Sequence, residues 1–220
     1  METPYAHIMA RIIRPADRVV GRLRSVAVAR LQLKTGASVV DAGCGVGSSF
    51  SYLLKAVGPS GRVVGVEIDP FLADKAQALV RRNGWSNVQV IQADAQSVTL
   101  PQSFDGMLMF AAHEVSTSPS ALDNLFKCLG ERASVVAFGA KQSRSLLGRA
   151  VNPLLRLASK RWLPFSAPID TAPWTLLQAR LAHIHIEEYL LGILYLASGS
   201  PTATPRDAHA QYALGLPAGA

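Results

Sequence analysis

The sequence predicts an α/β fold in which a mostly parallel sheet is covered by helices on both faces. Between residues 36 and 138, short and almost wholly apolar runs alternate with segments of helical periodicity, as expected of buried parallel strands joined by crossover helices. Gly/Pro/Asn turn chemistry falls between those runs. The chain has 220 residues, 49% hydrophobic and 17% charged. That is enough for one domain with a full core, and it excludes a disordered or coiled-coil chain.

The elements follow in order. ASVVDAG (37–43) is a β-branched apolar run ending in glycine and reads as the first strand. Residues 46–57 carry a helical pattern in Val46, Phe50, Leu53, Leu54 and Val57, and GPSGR (58–62) is a turn. RVVGVEID (62–69) is the second strand. Pro70 suits the first turn of a helix running to about Arg82, which Asn83-Gly84 stops. NVQVIQAD (87–94) and FDGMLMFA (104–111) are the third and fourth strands. Ser118-Pro119 opens a helix to about Leu129, Leu129-Gly130-Glu131-Arg132 reads as a turn, and ASVVAFG (133–139) is the fifth strand.

The flanks differ from this core. Residues 5–31 place Ile8, Ile12, Val19, Val20, Leu23, Val26, Ala27 and Leu31 at helical spacing, with Arg11, Arg14, Arg18, Arg22 and Arg24 between them. Pro15 splits the stretch into two helices. Residues 143–162 repeat the theme, with Asn152-Pro153 as a cap and first helical residue. A short helix is expected over 173–182, and two strands over 183–199 with a break near Gly192. The Ala/Gly/Pro-rich tail is expected to be mobile.

Net charge is +7. Residues 1–34 contribute +5 and residues 141–161 contribute +6, while 35–140 and 162–220 contribute −2 each. Two basic segments therefore flank a slightly acidic body. They suit an anionic substrate, lipid headgroups or nucleic acid, and they equally suit solvated helix faces. Cys44 and Cys128 are too few for a disulfide framework or a thiolate zinc cage. No apolar run approaches the roughly 18 residues of a membrane span, and METPYAHIMARIIRP lacks a signal-peptide pattern. The expected compartment is the cytoplasm.

The sharpest motif is VVDAGCGVGSSF (39–50), a strand running into a glycine loop with Gly43, Gly45 and Gly47 spaced G-x-G-x-G. Glycine there allows close backbone approach to a ligand. Asp41 closes the buried first strand, where a charge needs a partner. Glu67 closes the second strand, where an acid can accept from a ribose diol. Asp94 follows the third strand in Gln92-Ala93-Asp94-Ala95. Each acid alone reads equally as a loop cap. All three beside the glycine loop point to a nucleoside ligand. A dinucleotide dehydrogenase is the rival, but its G-x-G-x-x-G would need glycine where Ser48 stands.

With VVDAGCGVG, VVGVEIDP, IQADA and FDGMLMFAAHEV, the chain resembles class I S-adenosylmethionine-dependent methyltransferases over about residues 30–140, and more loosely in its C-terminal strands. The resemblance implies a Rossmann-like seven-stranded sheet of order 3-2-1-4-5-7-6 with the seventh strand antiparallel. It implies S-adenosylmethionine as cofactor. Asp41 and the loop Gly43, Cys44, Gly45 and Gly47 would hold its amino acid end, and Glu67 its ribose hydroxyls. Ile68 would pack on adenine, Asp94 would accept from the adenine amino group beside the Ala95 backbone, and Phe110 and Ala111 would flank the sulfonium. The turn at 129–132 departs from the family in lacking paired glycines, away from any cofactor contact.

Methyl transfer from an activated donor needs mainly positioning, and a base only if the acceptor must lose a proton. His113 is the first candidate for such a base and Glu114 the second, although His113 also suits a capping or packing role. No metal is expected, because His7, His113, His183, His185 and His209 lack ligand spacing joined to carboxylates. His183 and His185 read as structural, partly buried strand residues. FAAHEV is not the Asn/Asp-Pro-Pro-aromatic motif of nucleic-acid amino-methyltransferases, no Pro-Cys pair exists, and no strand interleaves aromatic with basic residues. No nucleic-acid partner is expected.

The pattern is similar to the small-molecule branch of quinone-biosynthesis and natural-product methyltransferases. That branch implies one domain over 1–220, with a helical lid (1–34), a cofactor core (35–140), a substrate-side helical insertion (141–172), a C-terminal helix and strands (173–199) and a tail (200–220). The expected acceptor is a hydrophobic phenol, quinol or amine, neutral or anionic. It would enter between 5–25 and 143–165, against Tyr5, His7, Ile8, Trp162, Phe165 and Trp174. Two other readings stay open. The basic segments suit weak membrane-surface contact by an enzyme acting on a lipid amine or membrane quinone, and complete cofactor motifs also suit a non-catalytic cofactor-binding subunit.

Overall fold

The computed structural model describes residues 20–101, 103–145, 148, 152–153 and 170–202. Seven strands form one sheet, β1 (Ser38–Ala42), β2 (Arg62–Glu67), β3 (Val88–Gln92), β4 (Phe104–Phe110), β5 (Leu129–Ala140), β6 (Leu181–Tyr189) and β7 (Leu194–Pro201). Their order is β3-β2-β1-β4-β5-β7-β6. β1 to β5 pair in parallel, and β7 lies antiparallel between β5 and β6. This is the expected Rossmann-like sheet. Its carboxyl edge gathers the ends of β1 to β6, because β6 runs opposite to β7.

Helices cover both faces. On one face lie α1 (20–30), α2 (Phe50–Val57) and α3 (Pro70–Asn83). They close a core of Ala27, Leu31, Phe50, Leu53 and Ala76 over Val39, Val63 and Leu108. On the other face lie α4 (His113–Ser116), α5 (Pro119–Phe126) and α6 (Thr175–Gln178). Their core sets Leu122, Leu125, Leu177 and Tyr195 against Val40, Met107 and Val135. Burying apolar side chains on both faces is what nearly continuous apolar strands require.

The end signals act as their chemistry demands. Asp69 caps α3, its Oδ1 accepting from the Phe71 and Leu72 N–H groups at 2.9 and 3.1 Å. Pro70 occupies the first turn, and Gly84 closes the helix in the left-handed conformation at φ 63°. Ser118 caps α5 by accepting from the Ala121 N–H at 3.3 Å.

Four expectations change. The helix expected from Val46 begins at Phe50, because residues 43–49 are spent on turns that bring the glycine loop back over the sheet. Residues 129–132, expected as a turn, belong to β5, where a register shift between Phe104 and Gly106 absorbs the extra residues. The helix expected over 173–182 is one turn, and Leu181 and Ala182 already pair with β7. His183 and His185 are exposed on edge strand β6 rather than partly buried, with His183 at φ 51° beside the bulge between Ala182 and His185. Residues 5–19 of the first expected helical stretch, and all of the second over 143–162 except 143–145, 148, 152 and 153, lie outside the described residues, as does the tail beyond 202.

Candidate active site

The glycine loop is stitched to the neighbouring strand before any ligand is considered. The N–H groups of Gly43 and Cys44 both donate to the Val66 carbonyl, at 2.9 and 3.0 Å. Gly43 has φ 74°, and a Cβ there would lie 2.6 Å from the Ala112 methyl carbon. The loop can therefore close against the start of α4 only if this residue is glycine. Gly45 is different. At φ 55° a Cβ there would meet nothing within 4 Å, so its backbone faces open space at the carboxyl edge of the sheet. Gly47 turns the chain at φ 81° against the Phe50 ring.

Glu67 ties the loop to the end of β2. Its Oε2 accepts from the Gly45 N–H at 2.8 Å, and its Oε1 from the Asp69 N–H at 3.0 Å. Burial pushes this carboxyl up, while those N–H bonds hold it down. Each oxygen keeps one further lone pair for a ligand hydroxyl. Ile68 follows, with 58% of its surface exposed. Its neighbours along β2 are buried, so an exposed isoleucine here is an apolar platform at the mouth of the crevice. Ala93 N–H bonds the Glu67 carbonyl at 2.9 Å, which places half-buried Asp94 beside that platform. Asp94 Oδ1 accepts from the Gln96 N–H at 2.8 Å, and Ala95 is buried.

Asp41 sits deeper, 1% exposed near the end of β1. Burial pushes its carboxyl up to about 7, the Arg24 guanidinium opposing and Glu67 adding to the rise. Its Oδ2 has no hydrogen-bond partner among the described residues. Arg24 reaches this point from α1 and is itself buried, its guanidinium carbon 4.5 Å above the Phe110 ring. Phe110 stacks on Phe138, with centroids 4.4 Å apart. Of the readings left open for the N-terminal basic segment, the solvated helix face does not describe Arg24, which is buried. The Phe110 ring covers one side of the guanidinium, and Arg24 and Asp41 act on one another through charge.

Beyond Phe110 the chain turns sharply. Ala111 is exposed at φ 58°, a conformation that costs a non-glycine residue energy and recurs at functional sites. His113 opens α4 and is buried, and burial lowers its pKa. Its carbonyl accepts from the Ser116 and Thr117 hydroxyls at 3.2 and 2.7 Å. The contact of Gly43 with Ala112 brings this turn directly against the glycine loop. Glu114 points outward and is exposed. Cys44 is buried, and burial pushes its thiol well up, so it packs the loop rather than reacting.

Of the expected acceptor walls, only Trp174 falls among the described residues. Trp174 packs half-buried against the core, 5.3 Å from the Tyr195 ring. Tyr5, His7, Ile8, Trp162 and Phe165 lie outside the described residues. Lys141 was not anticipated. It is fully buried just past β5, 2.9 Å from Glu188 and 5.7 Å from the Trp174 ring centre. Only its place one residue after an apolar strand could have drawn attention to it. A groove of about 570 Å³ lies between α1 and α2, lined by Ser25, Gln32, Tyr52 and Lys55 among others, and contains none of these site residues.

Residues 39–132, which hold the loop, the three acids and the β4 turn, match the family described as methyltransferase domain. The chain is 34% identical over 127 residues to 2-phytyl-1,4-naphtoquinone methyltransferase of Thermosynechococcus vestitus, covering 56% of each chain. It is 28% identical over 131 residues to the demethylmenaquinone methyltransferase of Lactobacillus johnsonii, covering 58% of this chain and 51% of that one. Its fold is similar to that of a SAM-dependent methyltransferase from Aquifex aeolicus, at TM-score 0.62 and 19% identity over 81% of this chain and 89% of that one. The chain spans about half the length of the curated relatives it matches.

Proposed function

We propose that this chain transfers a methyl group from S-adenosylmethionine to a small hydrophobic acceptor, a phenol, quinol or amine. The observation that carries the reading is the set of groups along four adjacent strand ends. Buried Arg24 and Asp41 present one positive and one negative charge, matching the carboxylate and ammonium of a zwitterion. Gly45 gives the ligand open room, Glu67 offers lone pairs to two ribose hydroxyls, and Ile68 offers adenine an apolar face. Asp94 and the Ala95 backbone suit the edge of the base. Phe110 and Ala111, at the strained turn, flank the position left for the sulfonium.

When bound, the cofactor supplies an activated methyl group with a neutral thioether as leaving group. The protein's part is to hold both partners in line and to exclude water. A phenol or quinol must also lose a proton. His113, kept neutral by its lowered pKa, is the base that accepts it, with Glu114 second. Kinship to two quinone methyltransferases supports an aromatic, hydrophobic acceptor. Residues 1–34 and 141–172 are assigned to a cover over that acceptor in a single domain.

Calorimetry with S-adenosylmethionine, followed by turnover screening of phenols, quinols and amines for release of the demethylated cofactor, tests this reading. Asp94→Ala is expected to weaken cofactor binding at least tenfold, and His113→Ala to slow turnover with binding intact. Absence of binding heat overturns the methyl-transfer reading. Binding without turnover on any acceptor class makes the chain a non-catalytic cofactor-binding subunit.

A further inference from the structure

The turn that follows β3 is held by a helix distant in sequence. β3 is the outermost strand on its side of the sheet, so the chain beyond it has β2 on one side only. It leaves β2 after the bond from the Ala93 N–H to the Glu67 carbonyl. Residues 94–98 then wind into one tight turn around Asp94. The Asp94 carbonyl accepts from the Ser97 and Val98 N–H groups at 3.1 and 2.8 Å, and its Oδ1 from the Gln96 N–H at 2.8 Å. These bonds use the N–H groups of the turn. The carbonyls of Ala95 and Val98, two buried core residues, need donors from elsewhere.

Asn124 supplies both. It is half-buried on α5, and its Nδ2 donates to the Ala95 carbonyl at 3.1 Å and to the Val98 carbonyl at 2.8 Å. One amide therefore closes the turn across its width. One helical turn earlier on the same face of α5, Ser120 Oγ donates to Gln96 Oε1 at 2.6 Å. Ala121, Leu122 and Leu125 share an apolar cluster with Ala95 and Val98, so α5 grips the turn by packing as well as by hydrogen bonds. The same helix is tied back to α4, through the Thr117 N–H on the His113 carbonyl and the Ser118 N–H on the Val115 carbonyl. The helix pair thus runs from the strained turn at Ala111 to the turn at Asp94.

We propose that Asn124 is a positioning residue for adenine specificity. It touches no ligand itself. It holds residues 94–98 so that the Asp94 carboxylate and the Ala95 backbone meet the amino edge of the base. The role rests on the cofactor reading, which assigns Asp94 and Ala95 to adenine. Adenine presents an amino donor there, which a carboxylate accepts, whereas hypoxanthine presents a carbonyl oxygen, which it repels. A fixed turn converts that difference into discrimination, and a loosened turn lets Asp94 withdraw from either base.

The test is calorimetry of the full chain with S-adenosylhomocysteine and with S-inosylhomocysteine. The wild type is expected to prefer the adenine form by about tenfold or more. Asn124→Asp has the same size and lacks the N–H donors. It is expected to lose about tenfold in affinity for the adenine form and almost nothing for the hypoxanthine form, so that the preference collapses. Ser120→Ala, at an exposed position, is expected to move the preference the same way by about threefold, and it decides the matter if Asn124→Asp does not fold. Asp123→Asn breaks an ion pair to Arg180 from the same helix, at 2.6 Å, and is expected to keep the preference whatever it does to the melting temperature. An unchanged preference in Asn124→Asp, or in Ser120→Ala where the first variant does not fold, overturns the role of Asn124 and leaves the cofactor reading standing. An equal loss of preference in Asp123→Asn does the same. A wild type that binds neither nucleoside overturns the cofactor reading and this role with it.

Discussion

Glu67 Oε2 accepts a hydrogen bond from the Gly45 N–H at 2.8 Å, so the acid ending one strand holds the glycine loop that follows its neighbour. The other oxygen holds the Asp69 N–H at 3.0 Å. Glutamine has one acceptor oxygen and cannot serve both. Glu67→Gln is therefore expected to free the loop and raise the cofactor dissociation constant at least tenfold, about 1.4 kcal/mol or more. Calorimetry reads this directly, and an unchanged constant would remove Glu67 from the site.

Asp41 makes the stability of the ligand-free protein depend on pH. Its carboxyl is up to about 7 in the folded chain against an ordinary 3.8, first because it is buried. Between those values the folded state binds the proton and the unfolded state releases it, so stability falls as pH rises from about 4 to about 7. Glu67 is shifted the same way. Denaturant melts at pH 5, 6, 7 and 8 should show this decline, on the order of a few kcal/mol in all. Asp41→Asn should flatten it, and an equal slope in the variant would contradict the assignment.

Arg24 opposes the rise at Asp41 while covering Phe110. Arg24→Met keeps the apolar cover and removes the charge. At pH 8 the variant is expected to lose ~3 kcal/mol, the cost of stranding a buried carboxylate, together with most of its cofactor affinity. Thermal melts at pH 5 and pH 8 separate this from lost packing, because protonated Asp41 at pH 5 should leave the two proteins close in stability.

Gly65 lies in the middle of β2, where a Cβ would fall 2.7 Å from the Phe50 ring and 2.8 Å from Cys44 Sγ. Gly65→Ala must push the ring that supports the glycine loop. A loss of roughly 1–3 kcal/mol in urea unfolding is expected, with weaker cofactor binding as the loop shifts. An alanine variant as stable as wild type would show that Phe50 has room to move.

His113 gives the proposed reaction an acid limb. Its pKa is lowered by burial, so at saturating cofactor kcat on a phenol should fall on the acid side of an ordinary histidine's titration, as the imidazole gains its proton. His113→Asn should remove that limb and reduce kcat by about 10²-fold or more. A limb that persists in the variant would belong to the acceptor.

The sequence by itself determined the alternation of strands and helices, the glycine loop, and the three acids at neighbouring strand ends. Such features are written in adjacent residues, through apolar runs, Asp69-Pro70 and Ser118-Pro119 caps, and glycines at turns. The start of α2 at Phe50 and the entry of 129–132 into β5 were misread, because loop path and strand register depend on partners distant in the chain. Tertiary structure alone decided which charges are buried. Arg24 looks like its neighbours Arg18 and Arg22 until α1 is laid across the ends of β1 and β4, where the Phe110 ring covers it and the Asp41 charge acts on it. The buried Lys141 and the exposed Leu190-Leu191 were likewise settled only when the β6–β7 hairpin was set against the end of β5. Periodicity reports which face a residue occupies, but burying a charge or exposing a leucine depends on what stands opposite that face.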